Sequence, residues 1–318
     1  MSSLAGKLRR TLFGISEREA LFSRRGFPAR TDACRYLEKV GATFILGYNA
    51  ALARVNNRLL TEDLNRVEKD LSGFAFEGAA MAKALLDMLT PWNRRRLTAF
   101  LEGPGDRHFY MVHIGAGWAL ARLKRSVSTY LQSRHPVYRW LVMDGYGFHQ
   151  GYFHWRRSVL EQRPEPGLSG YAARAFDQGL GRALWFVGGA DVDKVVALAM
   201  TFPERRRADL FSGIGLAVTY AGKPTAGGLR KLRTLAPTYL REIAQGAAFA
   251  AKARQRAGNP AAHTELACRE LCGLSAAKAA DYSDRALADL PPDDDDLPAY
   301  EIWRTRLRNM IAEEKTAT

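Results

Sequence analysis

The stretch Leu141–Gly189, LVMDGYGFHQGYFHWRRSVLEQRPEPGLSGYAARAFDQGLGRALWFVGG, holds two similar phrases. The first is Gly145-Tyr-Gly-Phe-His-Gln-Gly151-Tyr-Phe, the second Phe176-Asp-Gln-Gly179-Leu-Gly-Arg-Ala-Leu-Trp185-Phe. Each sets one or two polar side chains beside a glycine, then continues into apolar and aromatic residues. Glycine lets a neighbouring backbone or a ligand come close, and the polar group beside it then points into little free space. Tight packing of Gly and Ala against aromatics in a helical core is the simplest use of such a pattern.

Working outward, small-residue phrases centre near Gly47, Gly78, Gly115, Gly151, Gly179, Gly213 and Gly246, at intervals of roughly 28 to 37 residues. That interval suits helical-hairpin units. Alternating strand patterns are scarce. The expected fold is mainly α: a single large helical domain of close-packed Gly/Ala-rich helices, pseudo-repeated as hairpins around one cavity. Residues 1–30 read as a basic N-terminal arm, 31–290 as the helical core and 291–318 as an acidic linker with a C-terminal helix packed on the core. In the arm, Leu4, Leu8, Leu12 and Phe13 fall near one face of a helix whose other side carries Lys7, Arg9 and Arg10. Such a helix can dock on the domain or lie on an anionic membrane surface. Thr31 or Asp32 can cap the next helix, Asn56-Asn57 marks a break, and Thr61-Glu-Asp opens a further helix. A long helix is expected from about Leu229 to Arg254, with Pro237 kinking it or marking a boundary.

The 318 residues carry 47% hydrophobic and 25% charged side chains, a globular balance with enough chain for a sizeable core. No apolar run approaches the roughly 20 residues that span a bilayer. Three cysteines, Cys34, Cys268 and Cys272, cannot all pair with one another, which suits a reducing compartment and a cytoplasmic location. The net charge of +14 predicts anionic partners. The arginines are dispersed and not interleaved with aromatics, so nucleic acid is not expected. An acidic carrier protein or a membrane surface met through residues 4–13 would feel the same charge.

Six phrases, in order, resemble those of one bacterial family: Gly73-Phe-Ala-Phe-Glu-Gly-Ala-Ala-Met, His113-Ile-Gly-Ala-Gly-Trp-Ala-Leu-Ala-Arg, Asp144-Gly-Tyr-Gly-Phe-His-Gln-Gly-Tyr-Phe, Phe176-Asp-Gln-Gly-Leu-Gly-Arg-Ala-Leu-Trp-Phe, Gly213-Ile-Gly-Leu-Ala-Val-Thr-Tyr-Ala-Gly and Gln245-Gly-Ala-Ala-Phe-Ala. This is the UnbL-like family of enediyne polyketide gene clusters. The resemblance implies a role in turning the long polyene of the accompanying polyketide synthase into the enediyne core. It carries no catalytic residues with it, and members outside such clusters leave the substrate open.

A polyene or isoprenoid needs an apolar, aromatic pocket with a few placed polar groups. Candidate substrate-binding residues are Trp118, Tyr146, Phe148, Gln150, Tyr152, Phe176, Gln178, Trp185, Tyr220 and Gln245. Candidate catalytic groups are Glu77, His113, Asp144, His149, Asp177 and Arg182. A carboxylic acid kept neutral by burial could protonate an alkene, a histidine could remove a proton from the resulting cation, and aromatic faces could stabilise it. That is a cyclase or isomerase without a cofactor. A non-catalytic polyene-binding or carrier-docking scaffold is the alternative, and terpene-type cyclisation of an isoprenoid is a third. No metal is expected. His149 and His154 lack helix-pair spacing, Cys268 and Cys272 with His263 lack a fourth ligand, and the Asp293–Asp296 run lies between prolines.

Overall fold

The glycines of the repeated phrases lie where helices cross. The structure, a computed structural model, describes residues 4–29, 31–54, 56–90, 92–125, 127–132, 135–294 and 297–317. All regular elements among them are helical, with no strand. The arm forms α1 (Leu4–Phe13). Seven long helices follow: α2 (Asp32–Ala53), α3 (Ser72–Leu89), α4 (Phe109–Leu123), α5 (Arg139–Phe153), α6 (Gly170–Val187), α7 (Glu204–Tyr220) and α8 (Leu240–Ala257). The last helix is α9 (Ala299–Ala317). Each of α3 to α7 packs mainly on the helix before it and the helix after it, α2 mainly on α3, and α8 on α7 and on the shorter helices Ala276–Leu287 and Ala262–Cys272.

The contacts between neighbours are arranged in one way throughout. In α6, Gly179 lies against the Asp144 carbonyl of α5, and Gly181, two residues on, against the Leu210 carbonyl of α7. Gly145 and Gly147 in α5, Gly115 and Gly117 in α4, and Gly213 and Gly215 in α7 divide the work identically: the first glycine meets the preceding helix, the second the following one. A Cβ at any of these sites would overlap backbone. A glycine inside a helix costs about 1 kcal/mol relative to alanine, and backbone contact across the crossing offsets that cost.

Neighbouring helices run in the same direction. Between α5 and α6, Gly147 faces Phe176 while Gly151, further along, faces Leu180 and Ala183. Between α6 and α7, Arg174 bonds Asp209 near one end and Trp185 bonds Gly222 near the other. Each hairpin-like unit is therefore unequal: one long buried helix, then a return through loops and short helices such as Arg96–Leu101, Val192–Met200 and Ala226–Leu235.

Local signals set the helix ends. The Thr31 hydroxyl accepts from Cys34 N and caps α2. Asn56-Asn57 is a start rather than a break: Asn56 Oδ1 accepts from the amides of Arg58 and Leu59, so the short helix is Asn57–Leu64 and Thr61 lies inside it. The chain between Ala226 and Ala257 divides at Pro237 into two helices. The Asp293–Asp296 run lies partly outside the described residues. In α9, Tyr300, Trp303 and Arg304 are buried against the core. Arg304 donates to Asp209, Glu301, Tyr171 and Gln245 at 2.7 to 3.1 Å, tying the last helix to α6, α7 and α8.

Candidate functional site

The residue just before the first glycine is polar in five of the helices: Glu77, Asp144, Gln178, Ser212 and Gln245. These side chains meet one another. Gln178 Nε2 donates to Asp144 Oδ2 at 2.9 Å and to the Tyr300 hydroxyl at 3.1 Å, and Ser212 donates to Gln245 Oε1 at 2.8 Å. Glu77 alone of the five turns its carboxylate towards open space.

That space is a cavity of about 50 Å³ lined by Phe44, Phe74, Glu77, Met111, Trp118, Phe148, Tyr152, Arg182, Phe186, Leu216 and Tyr220, among others. Its wall follows a rule of position. Residues four before, one before, three after and seven after the first glycine share one helical face. Phe74 and Glu77 of α3, Met111 and Trp118 of α4, Phe148 and Tyr152 of α5, Arg182 and Phe186 of α6, and Leu216 and Tyr220 of α7 occupy those positions. Ile15, Glu19 and Ala20, which follow α1, also reach this wall. A second cavity of about 30 Å³, lined by Ile114, Leu141, Phe249 and Trp303, shares the lining residues Met111, Leu216 and Tyr220 with the first.

The electrostatics centre on Arg182. Its guanidinium is paired with Asp144 through Nη1, lies 4.9 Å over the Phe148 ring and places Nη2 3.8 Å from Glu77 Oε1. The closer partner, Asp144, takes most of the positive charge. Glu77 Oε1 accepts no hydrogen bond, although it is buried. Burial pushes the Glu77 carboxyl up to about 7; Arg182 pulls it down and Asp144 pushes it up further. The Trp118 indole N–H lies beside this carboxyl, where it favours the ionised form, but makes no bond of ordinary geometry. Near neutrality Glu77 is thus poised between a neutral acid and a carboxylate.

Of the residues singled out from sequence, Glu77, Trp118, Phe148, Tyr152, Arg182 and Tyr220 meet at this cavity. The others are placed elsewhere. Asp144 and Gln178 stand behind Arg182 as its bonded support. Asp177, next to Gln178 but turned away from the cavity, is held by Arg206 at 2.5 and 2.9 Å. His113 shares a hydrogen bond with the Phe109 carbonyl at 2.9 Å and rests on Phe109 and Tyr138. His149 packs edge-on against Trp118, and burial lowers its pKa to about 3. Tyr146 and Gln150 both donate to Glu165, Phe176 rests near Tyr146, Trp185 donates to the Gly222 carbonyl, and Gln245 serves Ser212 and Arg304. Phe44, Phe74, Met111 and Leu216 also line the wall without being singled out; for all but Phe44, of α2, the spacing from the first glycine was the available signal. Among the described residues no three His, Cys, Asp or Glu side chains converge on a metal position.

No curated protein and no solved structure matches the chain. One family profile does, described as a protein of unknown function (DUF1702), and it covers residues 4–311. The match takes in all of α2 to α8 and the residues lining both cavities, and the chain belongs to this family.

Proposed function

We propose that the chain binds an apolar, polyene-like small molecule in the Glu77 cavity and promotes its cofactor-independent cyclisation or rearrangement. The reading rests on one observation: the Glu77 carboxyl, with a raised pKa and an unbonded oxygen, faces a chamber made of aromatic and aliphatic groups apart from the paired Arg182 and, at its edge, Glu19, which is ion-paired with Arg24 and Arg25. Neutral Glu77 would give its proton to an alkene carbon, leaving a carbocation on the substrate and a carboxylate held by Arg182. The faces of Trp118, Phe148 and Tyr220 would stabilise the cation. After ring closure or bond migration, the carboxylate would take a proton from a carbon beside the cation, forming the new alkene and restoring the acid. Glu77 serves here as both acid and base, because His113 and His149 do not line the cavity.

The resemblance to the UnbL-like family supports a polyketide polyene as substrate, the net charge of +14 suits an acidic acyl carrier protein as a partner, and an isoprenoid obeys the same chemistry. An extended chain would fill both cavities once Met111, a flexible side chain lining both, turns aside. The largely apolar lining also fits a second reading, a non-catalytic carrier that shelters the polyene. Mass spectrometry of the products formed by the polyene synthase alone, with this protein, and with Glu77→Gln separates them. A new product lost in the variant is expected. An unchanged profile with co-purified polyene would replace the enzyme by a carrier, and neither product nor bound polyene would refute both.

A further inference from the structure

The first helix is docked the unusual way round. Surface helices bury their apolar stripe and expose the polar one. In α1 the side turned to the body carries Gly6, packed on the Ala53 carbonyl, and Arg9, which donates to the Leu52 carbonyl at 2.9 Å. Leu4, Leu8 and Leu12, one turn apart, point away and are 85%, 59% and 64% exposed. Lys7 and Arg10 flank them and are exposed too. Next to this helix, Arg96 lies within electrostatic reach of Arg9 and ties down the preceding loop by donating to the Thr90 hydroxyl at 2.8 Å. That loop presents Trp92, 82% exposed, followed by the exposed Arg94 and Arg95.

We infer that α1 and the Trp92 loop together form a docking face for an anionic membrane surface. Three exposed leucines flanked by Lys7 and Arg10, and beside them an exposed tryptophan followed by Arg94 and Arg95, supply what a lipid interface takes up: side chains to enter the acyl boundary and cations to meet the headgroups. Charge complementarity selects this occupant, for the whole chain carries +14. The face is built rather than incidental, because a glycine and an arginine are used to hold the helix with its leucines outward. No helix of the described residues is long and apolar enough to cross a membrane, so the contact is peripheral. Ile15, Glu19 and Ala20, directly after α1, border the cavity. An apolar ligand dissolved in the bilayer would therefore enter from the docked side, although docking itself does not depend on the reading of Glu77.

Co-sedimentation of the full chain with vesicles tests this. Binding to phosphatidylcholine vesicles containing phosphatidylglycerol is expected, with much weaker binding to phosphatidylcholine alone and a decline as salt rises. The triple substitution Leu4→Ser, Leu8→Ser, Leu12→Ser is expected to cut binding at least tenfold, with an unchanged circular dichroism spectrum because none of the three is buried. Trp92→Ala should weaken it further. Equal sedimentation of wild type and triple variant, or no binding to either vesicle, would overturn the proposal. So would a dimer in gel filtration that the triple variant abolishes, since the stripe would then be an interface between copies.

Discussion

Replacing Glu77 by Gln should change how stability depends on pH. The folded carboxyl titrates near 7 against an ordinary 4.5. As pH rises, the unfolded chain gives up this proton first, so between those values the folded state holds the extra proton and stability falls with rising pH. The gap of 2.5 units, at about 1.36 kcal/mol per unit, amounts to about 3 kcal/mol at most. Glutamine has no proton to lose. The stability difference between Glu77→Gln and wild type should therefore be flat below pH 4.5, climb in the variant's favour through the window, and level off above pH 7. Urea unfolding followed by circular dichroism across this range gives both curves. Buried histidines titrate in an overlapping range, with His108 and His263 lowered to about 4 and His149 to about 3, but they are common to both proteins and cancel in the difference. A difference that stays constant across the window would refute the argument: Arg182 would then be holding Glu77 ionised, and no neutral acid would face the cavity.

Other outcomes follow from the same geometry. Gly179→Ala gains about 1 kcal/mol in helix propensity, but its Cβ would overlap the Asp144 carbonyl and lie 2.8 Å from Phe148 N, so a net loss of about 1–2 kcal/mol is expected from overpacking. Gly227→Ala, whose Cβ would meet nothing nearer than 4.0 Å, should instead stabilise by about 0.5–1 kcal/mol, and urea midpoints compare the two. Arg304→Met leaves Asp209 with Arg174 alone and Glu301 with Arg174 and Arg308, all less buried partners, and should cost about 3 kcal/mol, releasing α9 to proteolysis before the rest of the chain. His149 has a folded pKa below its ordinary 6.5, so its contribution is present above 6.5 and is lost as pH falls; His149→Gln should flatten the acid side of the stability profile.

Much of the site was legible because the polar-Gly phrases are a local code. A glycine wide enough for a helix crossing and the residue beside it occupy adjacent positions, so Glu77, Asp144 and Gln178 could be picked out by reading alone. The phase of each helix could not. Asp177 and Gln178 are neighbours about 100° apart on one helix, and nothing in the phrase says which turns inward. Arg206 holds Asp177, itself buried, away from the cavity, while Asp144 and Tyr300 hold Gln178 within. His113 and His149 stood out as catalytic bases for their chemistry, yet each packs on aromatic rings instead.

By itself the sequence determined the helical class, the approximate helix positions and the glycines of the crossings, because those depend on propensity and on spacing within one turn or two. Tertiary structure alone decided that the long helices run parallel, that one of several buried acids faces the cavity while the others are neutralised by arginines, and that the leucines of α1 look outward. The physical reason is range. Arg182 with Asp144, Arg206 with Asp177, and Arg304 with Asp209 are partners separated by 38, 29 and 95 residues, and their choice is settled only when the helices pack.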